Sequence, residues 1–118
     1  SDYSEAVLDE VVRIGARIPA LWPFEMANLL AVAERRGRIQ PERVGSFLEA
    51  LLALPLRLEQ RALSESLPVL VGTARASGLS AYDASYLELA VRTGLPLATR
   101  DKALRSAAER SGVVIFER

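Results

Sequence analysis

Three acidic residues lie at the predicted starts of three different helices, and they are the side chains of this sequence best suited to chemistry. Glu25 follows Pro23, Asp83 follows Ser80, and Asp101 follows Thr99. The chain contains no histidine and no cysteine, which excludes imidazole and thiolate chemistry. Because Mg²⁺ and Mn²⁺ prefer oxygen ligands and bridge to phosphates, the three acids predict a metal pocket suited to phosphodiester hydrolysis.

Each acid also has a purely structural interpretation. Asp83 stands three residues after Ser80, the spacing of a capping box, and an acid in the first turn of a helix favours the helix dipole wherever it occurs. Asp101 and Glu25 fit that second description. The metal-site hypothesis therefore depends on the conjunction of the three acids in one domain.

Arginine dominates the basic residues, since Lys102 is the only lysine. Two clusters stand out, one at Arg35, Arg36 and Arg38 and the other at Arg100, Lys102 and Arg105. The arginines of the first cluster lie on both sides of Gly37, an arrangement that is typical of an ordinary helix end. The second flanks Asp101 and is the better candidate for binding phosphate.

Composition indicates one soluble domain over residues 1–118. Half of the residues are hydrophobic, which is enough for a core at this length. Fifteen basic residues balance fifteen acidic ones, so the overall charge does not by itself indicate a nucleic-acid-binding protein. No apolar run approaches the roughly 18 residues that span a membrane, and a cytoplasmic protein without membrane contact is the expectation.

Hydrophobic periodicity and capping residues predict helices alternating with short strands. The predicted helices run from Asp2 to Gly15, Pro23 to about Arg36, Pro41 to Leu54, Ser64 or Ser66 to Gly78, Ser80 to Gly94, and Arg100 to about Arg110 with Thr99 as the cap. The predicted strands are Arg17 to Leu21, Leu54 to Leu58, Leu95 to Ala98 and Val113 to Phe116. This alternation predicts an α/β fold, a three-layer α/β/α sandwich with a parallel central sheet. Glu25 and Asp101 would then lie beyond the carboxyl ends of strands, where such sheets bind ligands.

Three segments resemble the signature blocks of PIN domains, and more narrowly those of VapC-type toxin ribonucleases of bacterial toxin–antitoxin pairs. They are Leu21-Trp22-Pro23-Phe24-Glu25-Met26-Ala27-Asn28, the stretch from Gly78 to Ala90 around Leu79-Ser80-Ala81-Tyr82-Asp83-Ala84, and Pro96-Leu97-Ala98-Thr99-Arg100-Asp101. The resemblance extends over essentially the whole chain.

The resemblance implies a Mg²⁺- or Mn²⁺-dependent endoribonuclease, neutralised by a VapB-type antitoxin and assembled as a homodimer. Glu25, Asp83 and Asp101 fall on three acidic positions of the family, which would hold the metal and catalyse RNA hydrolysis. Thr99 falls on the hydroxyl position beside the last acid. Asn28 lies one helical turn from Glu25, and it would contact substrate together with Thr99, Arg100, Lys102 and Arg105.

One departure from the family pattern concerns the first strand. The family begins with a short hydrophobic strand that lies in the middle of the sheet and ends in the first metal-binding aspartate, whereas this sequence opens at Ser1-Asp2-Tyr3-Ser4-Glu5. An N-terminal truncation is the first explanation. A mis-assigned start, or completion by another chain or by a swapped strand, are the others.

Two other functions stay open from the sequence. A catalytically impaired module that binds an antitoxin, RNA or protein would fit the missing aspartate, because three acids hold a metal less tightly than four. A phosphatase-type domain would need a nucleophilic aspartate at the end of a leading strand, which this sequence does not show.

Overall fold

The computed structural model describes residues 2–117, which form six α-helices and one pair of β-strands. In chain order the elements are α1 (Asp2–Ile14), β1 (Ala16–Pro19), α2 (Trp22–Arg35), α3 (Pro41–Leu52), β2 (Leu56–Glu59), α4 (Leu63–Ser77), α5 (Ala81–Thr93) and α6 (Lys102–Arg110). No helix within these residues is long and apolar enough to cross a membrane. The predicted mixed α/β class is confirmed.

Glycines end three of the helices, as the sequence predicts. Gly15, Gly78 and Gly94 follow α1, α4 and α5 with φ angles of 86°, 77° and 71°, a left-handed conformation that glycine adopts without steric cost. At Gly15 a side chain is excluded for a second reason, because a Cβ atom there would lie 2.7 Å from the carbonyl oxygen of Pro55. This close approach lets the chain pass directly from α1 into β1.

Two short parallel pairings form the β structure. β1 pairs with β2 in parallel, with Ala16 opposite Leu56 and Pro19 opposite Glu59. A separate parallel bridge joins Leu97 to Ile115. Within residues 2–117 these two pairings do not join into one sheet. The structure therefore shows a mixed α/β architecture, and the three-layer sandwich stays a prediction.

The predicted strands therefore need correction. The first is shifted to Ala16–Pro19 and the second to Leu56–Glu59, while Leu95 to Ala98 and Val113 to Phe116 each contribute a single bridge residue. A strand is defined by hydrogen bonds to a neighbour, and within residues 2–117 the segment around Leu97 bonds to the segment around Ile115 only through the Leu97 amide and carbonyl.

Two predicted helix starts were also wrong. Thr99 does not cap the last helix; Asp101 is the N-cap residue, and α6 begins at Lys102. α4 begins at Leu63 rather than at Ser64 or Ser66, without a side-chain cap and with Pro68 inside it. Ser80, in contrast, caps α5 as predicted.

The buried core lies in the C-terminal half of the molecule. α5 packs against α4, α6 and β1. The core cluster consists of Leu87, Ala90, Leu97, Leu104, Ala107 and Ala108. In the N-terminal half, α1 and α3 contain no buried residue, and the Cα radius of gyration of 15.3 Å exceeds the roughly 13.5 Å of a compact domain of this length. The N-terminal half is thus more loosely packed.

A cavity of about 690 Å³ lies between the two strand pairs, and we call it the slot. Its two edges are β1 on one side and the segment from Leu95 to Ala98 on the other, while α1 and α5 supply much of the remaining wall. Tyr86 of α5 and Trp22 of α2 also line it. The slot therefore separates the loosely packed half from the core.

Candidate functional site

Glu25 lies in the first turn of α2, where Pro23 starts the helix just after β1. Its side chain is exposed, yet one carboxylate oxygen, Oε1, accepts a hydrogen bond from the Tyr86 hydroxyl of α5. The two residues are 61 positions apart in sequence. This contact fixes the start of α2 against α5 and points the Glu25 carboxylate toward that helix.

The charge of Asp83 also acts on the Tyr86 hydroxyl group. Burial raises the pKa of Tyr86 above its usual value, and so do the hydrogen bond to Glu25, the charge of Glu25 and the charge of Asp83. Both carboxylates oppose ionisation of the hydroxyl because a phenolate would place a third negative charge beside them. The structure thus places Glu25 in contact with the Tyr86 hydroxyl, and Asp83 near enough for its charge to act on the same group.

The carboxylate of Asp83 is not used for helix capping. The Ser80 Oγ atom accepts a hydrogen bond from the Asp83 amide at 3.1 Å, which is one half of a capping box. Among the hydrogen bonds of residues 2–117, none returns from the Ser80 amide to the Asp83 carboxylate. The half-buried Asp83 side chain therefore remains available for another role.

Asp101 has a structural role of its own. Its Oδ2 atom accepts a hydrogen bond from the Leu104 amide at 2.8 Å, which caps α6. Its own amide donates to the Thr99 Oγ1 atom at 3.1 Å. Thr99 and Asp101 thus build the turn that leads from the Leu97 bridge into α6, and one oxygen of Asp101 is committed to it.

The guanidinium groups of Arg100 and Arg105 both lie over the aromatic ring of Tyr3. Each guanidinium carbon lies 5.4 Å from the ring centroid, a cation–π distance. Arg105 Nε donates to the Thr99 carbonyl oxygen at 2.6 Å, and Arg100 Nη2 donates to the Ser4 hydroxyl at 3.1 Å. These arginines tie α1 to the start of α6, and phosphate binding by them stays a prediction.

The predicted site residues fall into two groups. Glu25 and Asp83 share Tyr86, whereas Asp101 lies with Thr99, Arg100 and Arg105 at the start of α6. Lys102 and Asn28 are exposed. Within the part of the chain that the structure describes, no three acids lie close enough together to hold a metal ion. The three-acid metal site stays a prediction.

A network of ion pairs, which the sequence analysis missed, joins the strand pair to α5. Arg17 donates two hydrogen bonds to Glu59, at 2.6 and 2.9 Å. Arg92 Nη1 lies 3.4 Å from Glu59 and its Nε lies 3.0 Å from Glu88, which also binds Arg61 at 2.9 Å. The hydrogen bond from Arg17 is the main reason why the pKa of Glu59 is lowered to about 2. Part of this network lines a second cavity, of about 610 Å³.

Tyr86 and Tyr3 are the residues of the site that sequence reasoning missed. Tyr86 is three residues after Asp83, one helical turn, so their proximity was readable from the sequence. Its pairing with Glu25 was not, because it depends on how α2 and α5 pack. The Tyr3 hydroxyl donates a hydrogen bond to the carbonyl oxygen of Phe116, 113 residues away, at 2.7 Å. No local signal in the sequence predicts such a contact.

Compared with known proteins, the chain matches no protein-family model and no curated protein sequence.

Proposed function

We propose that this protein is a Mg²⁺- or Mn²⁺-dependent endoribonuclease of the VapC toxin type, which hydrolyses RNA phosphodiester bonds. The observation that carries the proposal is the placement of Glu25 and Asp83 around one tyrosine hydroxyl, although they come from different helices. The capping role open to Asp83 is only half realised, so its carboxylate is not committed to the Ser80 amide.

The residues present fit a hard cation. Mg²⁺ is commonly bound by one or two carboxylates and keeps several of its waters, and an exposed Glu25 beside a half-buried Asp83 provides that donor set. Glu25 and Asp83 would hold the ion, and Asp101 would contribute through the oxygen that does not cap α6. When bound, such an ion neutralises phosphate charge and activates water.

The other side chains would act on the RNA and on the two acids. Tyr86 orients Glu25 through its hydrogen bond and acts as a neutral donor, since its pKa is raised. Arg100, Lys102 and Arg105 would attract the phosphate backbone, while Thr99 and Asn28 would offer hydrogen bonds to it. Because Arg100 and Arg105 rest on Tyr3, their positive charge is held in a defined place.

The proposal extends to fold and partners. A three-layer α/β/α sandwich is the architecture of that family, and the two parallel pairings, β1 with β2 and Leu97 with Ile115, support it. A VapB-type antitoxin, a homodimer and a cytoplasmic location belong to the same proposal. Exposed apolar side chains on α2 and α3, among them Phe24, Leu29 and Leu52, offer surface for such contacts.

Cleavage of a mixed RNA pool, with and without Mn²⁺, tests this proposal. We expect cleavage that chelation of the metal abolishes and that Asp83→Asn and Glu25→Gln each reduce at least tenfold. Asp9→Asn is the matched control, because Asp9 is an exposed acid on α1 and lies outside the proposed site. Equal cleavage by the chain and by Asp83→Asn would show that the activity comes from elsewhere.

A binding module without catalysis is the second candidate, and one observation favours it. No three acids lie together within residues 2–117, and Asp101 is already occupied as a cap. Such a module would bind RNA equally well with and without Mn²⁺ and would cleave none. Measuring RNA binding by fluorescence anisotropy beside the cleavage assay separates the two functions.

A further inference from the structure

The second cavity, of about 610 Å³, lies where β1 and β2 end, and we call it the strand-end cavity. Residues 19–21 at the end of β1 and residues 59–61 at the end of β2 line it, together with residues of α4 and α5. Because β1 and β2 are parallel, their carboxyl ends lie at one edge, where α/β sheets bind ligands. The volume also falls within the roughly 300–1,000 Å³ of ligand sites. The strand-end cavity therefore has the position and the size of a binding site.

Two aromatic side chains line this cavity, and both are largely exposed. Phe24 is 75% exposed and Tyr82 is 67% exposed, and they belong to the first turns of α2 and α5. Each directly precedes an acid of the proposed metal site, Glu25 in the first case and Asp83 in the second. Neighbouring residues of a helix point about 100° apart. The start of each helix thus presents a ring to the cavity and carries an acid beside it.

The charged side chains that line the strand-end cavity are paired with one another. Arg92 lies 3.4 Å from Glu59 and 3.0 Å from Glu88, and Arg61 lies 2.9 Å from Glu88. Two acids and two bases leave this lining without net charge. A phosphate group or a metal ion would have to compete with these ion pairs in order to bind there. An uncharged ligand would not, and the cavity therefore favours a neutral group.

The rest of the lining suits an aromatic heterocycle. Apolar side chains from three elements contribute contact surface, namely Leu21, Val69, Leu70 and Leu89. Gln60, which follows β2, adds an exposed amide that both donates and accepts hydrogen bonds. A nucleobase has two apolar faces for stacking and an edge of donors and acceptors for hydrogen bonds. Its chemistry therefore matches the rings, the apolar surface and the amide of the strand-end cavity.

We propose that the strand-end cavity binds one unpaired nucleobase of the RNA, which stacks on Phe24 and Tyr82 and hydrogen-bonds through its edge to Gln60. This inference rests on the proposed ribonuclease function and adds the part of the substrate that the protein recognises. The phosphate of the same region would lie at Glu25 and Asp83, because ring and acid are consecutive residues in each helix. A base that is stacked and paired in a duplex cannot enter, so the cavity selects RNA in which the base is splayed out.

The placement of the two rings favours a nucleobase over an apolar protein segment. Exposed apolar rings suit either occupant, but Phe24 and Tyr82 directly precede the acids that would act on phosphate. Each nucleotide carries its base one sugar away from its phosphate, so a base in the cavity and a phosphate at the acids belong to one short stretch of strand. Phe47 of α3, which is 41% exposed, lines neither cavity and is the matched control.

Fluorescence of a base analogue tests the proposal. The probe is a single-stranded RNA of about eight nucleotides with one central 2-aminopurine, whose fluorescence is quenched when it stacks on an aromatic ring. A chelator keeps the RNA intact, so base binding and metal-dependent cleavage are measured separately and each can fail alone. We expect the chain to quench the single-stranded probe and to leave the same probe unchanged in a duplex. Phe24→Leu and Tyr82→Leu should each weaken binding about fivefold or more, whereas Phe47→Leu should bind normally.

Gln60→Ala should keep the quenching but reduce the difference in affinity between probes that carry different bases beside the analogue. Phe24 and Tyr82 are exposed, so their variants should fold, which circular dichroism checks. If one does not, the comparison of single-stranded and duplex probes with the unchanged chain still decides. No quenching, equal binding of both probes, or normal binding by Phe24→Leu and Tyr82→Leu would each overturn the proposal. So would a Phe24→Leu variant that changes self-association and leaves RNA binding intact, because the rings would then serve a protein contact.

Discussion

The region around α5 and α6 and the region around α1, β1 and α3 contain similar proportions of apolar residues but differ in packing. In the first region Leu87 and Ala108 are almost completely buried, with 2% and 0% of their surface exposed. In the second, Val12 on α1 and Leu52 on α3 are 59% and 85% exposed. Apolar composition alone therefore does not determine burial; each helix also needs a surface against which to pack.

The slot explains much of this difference. α5 and α6 pack against the Leu97 segment and against each other, whereas α1 lines the slot beside β1. The candidate site extends across the same boundary. Glu25 comes from α2, which follows β1, while Asp83 and Asp101 lie at the starts of α5 and α6, so the geometry of the acids depends on how firmly α2 is joined to the α5–α6 region.

Truncation of Leu87 should have the largest effect on stability. Leu87→Ala removes a side chain buried in the α5–α6 core and should lower the free energy of unfolding by about 2–5 kcal/mol. Leu52→Ala, the same change on exposed α3, should lower it by less than about 0.5 kcal/mol. Urea denaturation followed by circular dichroism measures both. Similar losses of stability for the two variants would mean that Leu52 is buried against another surface in solution, which would contradict the difference in packing between the two regions.

Loss of the N-cap of α6 should lower the free energy of unfolding by less than truncation of Leu87 does. Asp101→Ala removes the acceptor of the Leu104 amide and should cost about 0.5–2 kcal/mol. Asp101→Asn retains a capping oxygen and should leave the urea midpoint almost unchanged, yet it should still reduce Mn²⁺-dependent RNA cleavage if Asp101 serves the proposed metal. Full activity in Asp101→Asn would restrict this residue to its structural role.

Local features of the fold were predictable from the sequence, and long-range ones were not. Gly78, Gly94 and Ser80 end or begin helices as predicted, because their conformational preferences act within a few residues. Asp101 displaced Thr99 as the cap, in line with the higher preference for aspartate than for threonine at that position. The pairing of Glu25 with Tyr86 depends on tertiary packing that no local pattern encodes.

The link between the two regions can be tested at Tyr86. Tyr86→Phe removes the hydrogen bond to Glu25 and should lower the free energy of unfolding by about 0.5–1.5 kcal/mol, whereas Tyr82→Phe, at an exposed tyrosine, should change it little. Glu25→Gln should lower the pKa of Tyr86, since the charge and the hydrogen bond of Glu25 both raise it. Ultraviolet absorbance during a pH titration reports that change, and an unaltered titration would contradict the contact.

The ion-pair network should give the smallest change and the most distinctive pH dependence. Glu59→Gln removes the charge that holds Arg17 of β1 and Arg92 of α5, but the amide oxygen can still accept a hydrogen bond from Arg17. The loss is limited further because the Arg17 side chain is 31% exposed, so water screens the pair.

The sign of the pH dependence follows from the pKa of Glu59, which folding lowers from 4.5 to about 2. The stabilisation is complete above about pH 4.5 and disappears as the pH falls toward 2, because the folded carboxylate is then protonated as well. Thermal unfolding of the wild type and of Glu59→Gln should therefore differ at pH 7 and converge near pH 2. Glu49→Gln, the same change at an exposed acid on α3, serves as the control for net charge. A constant difference between wild type and Glu59→Gln across this range would show that Glu59 stabilises the junction of β1, β2 and α5 by packing rather than by charge.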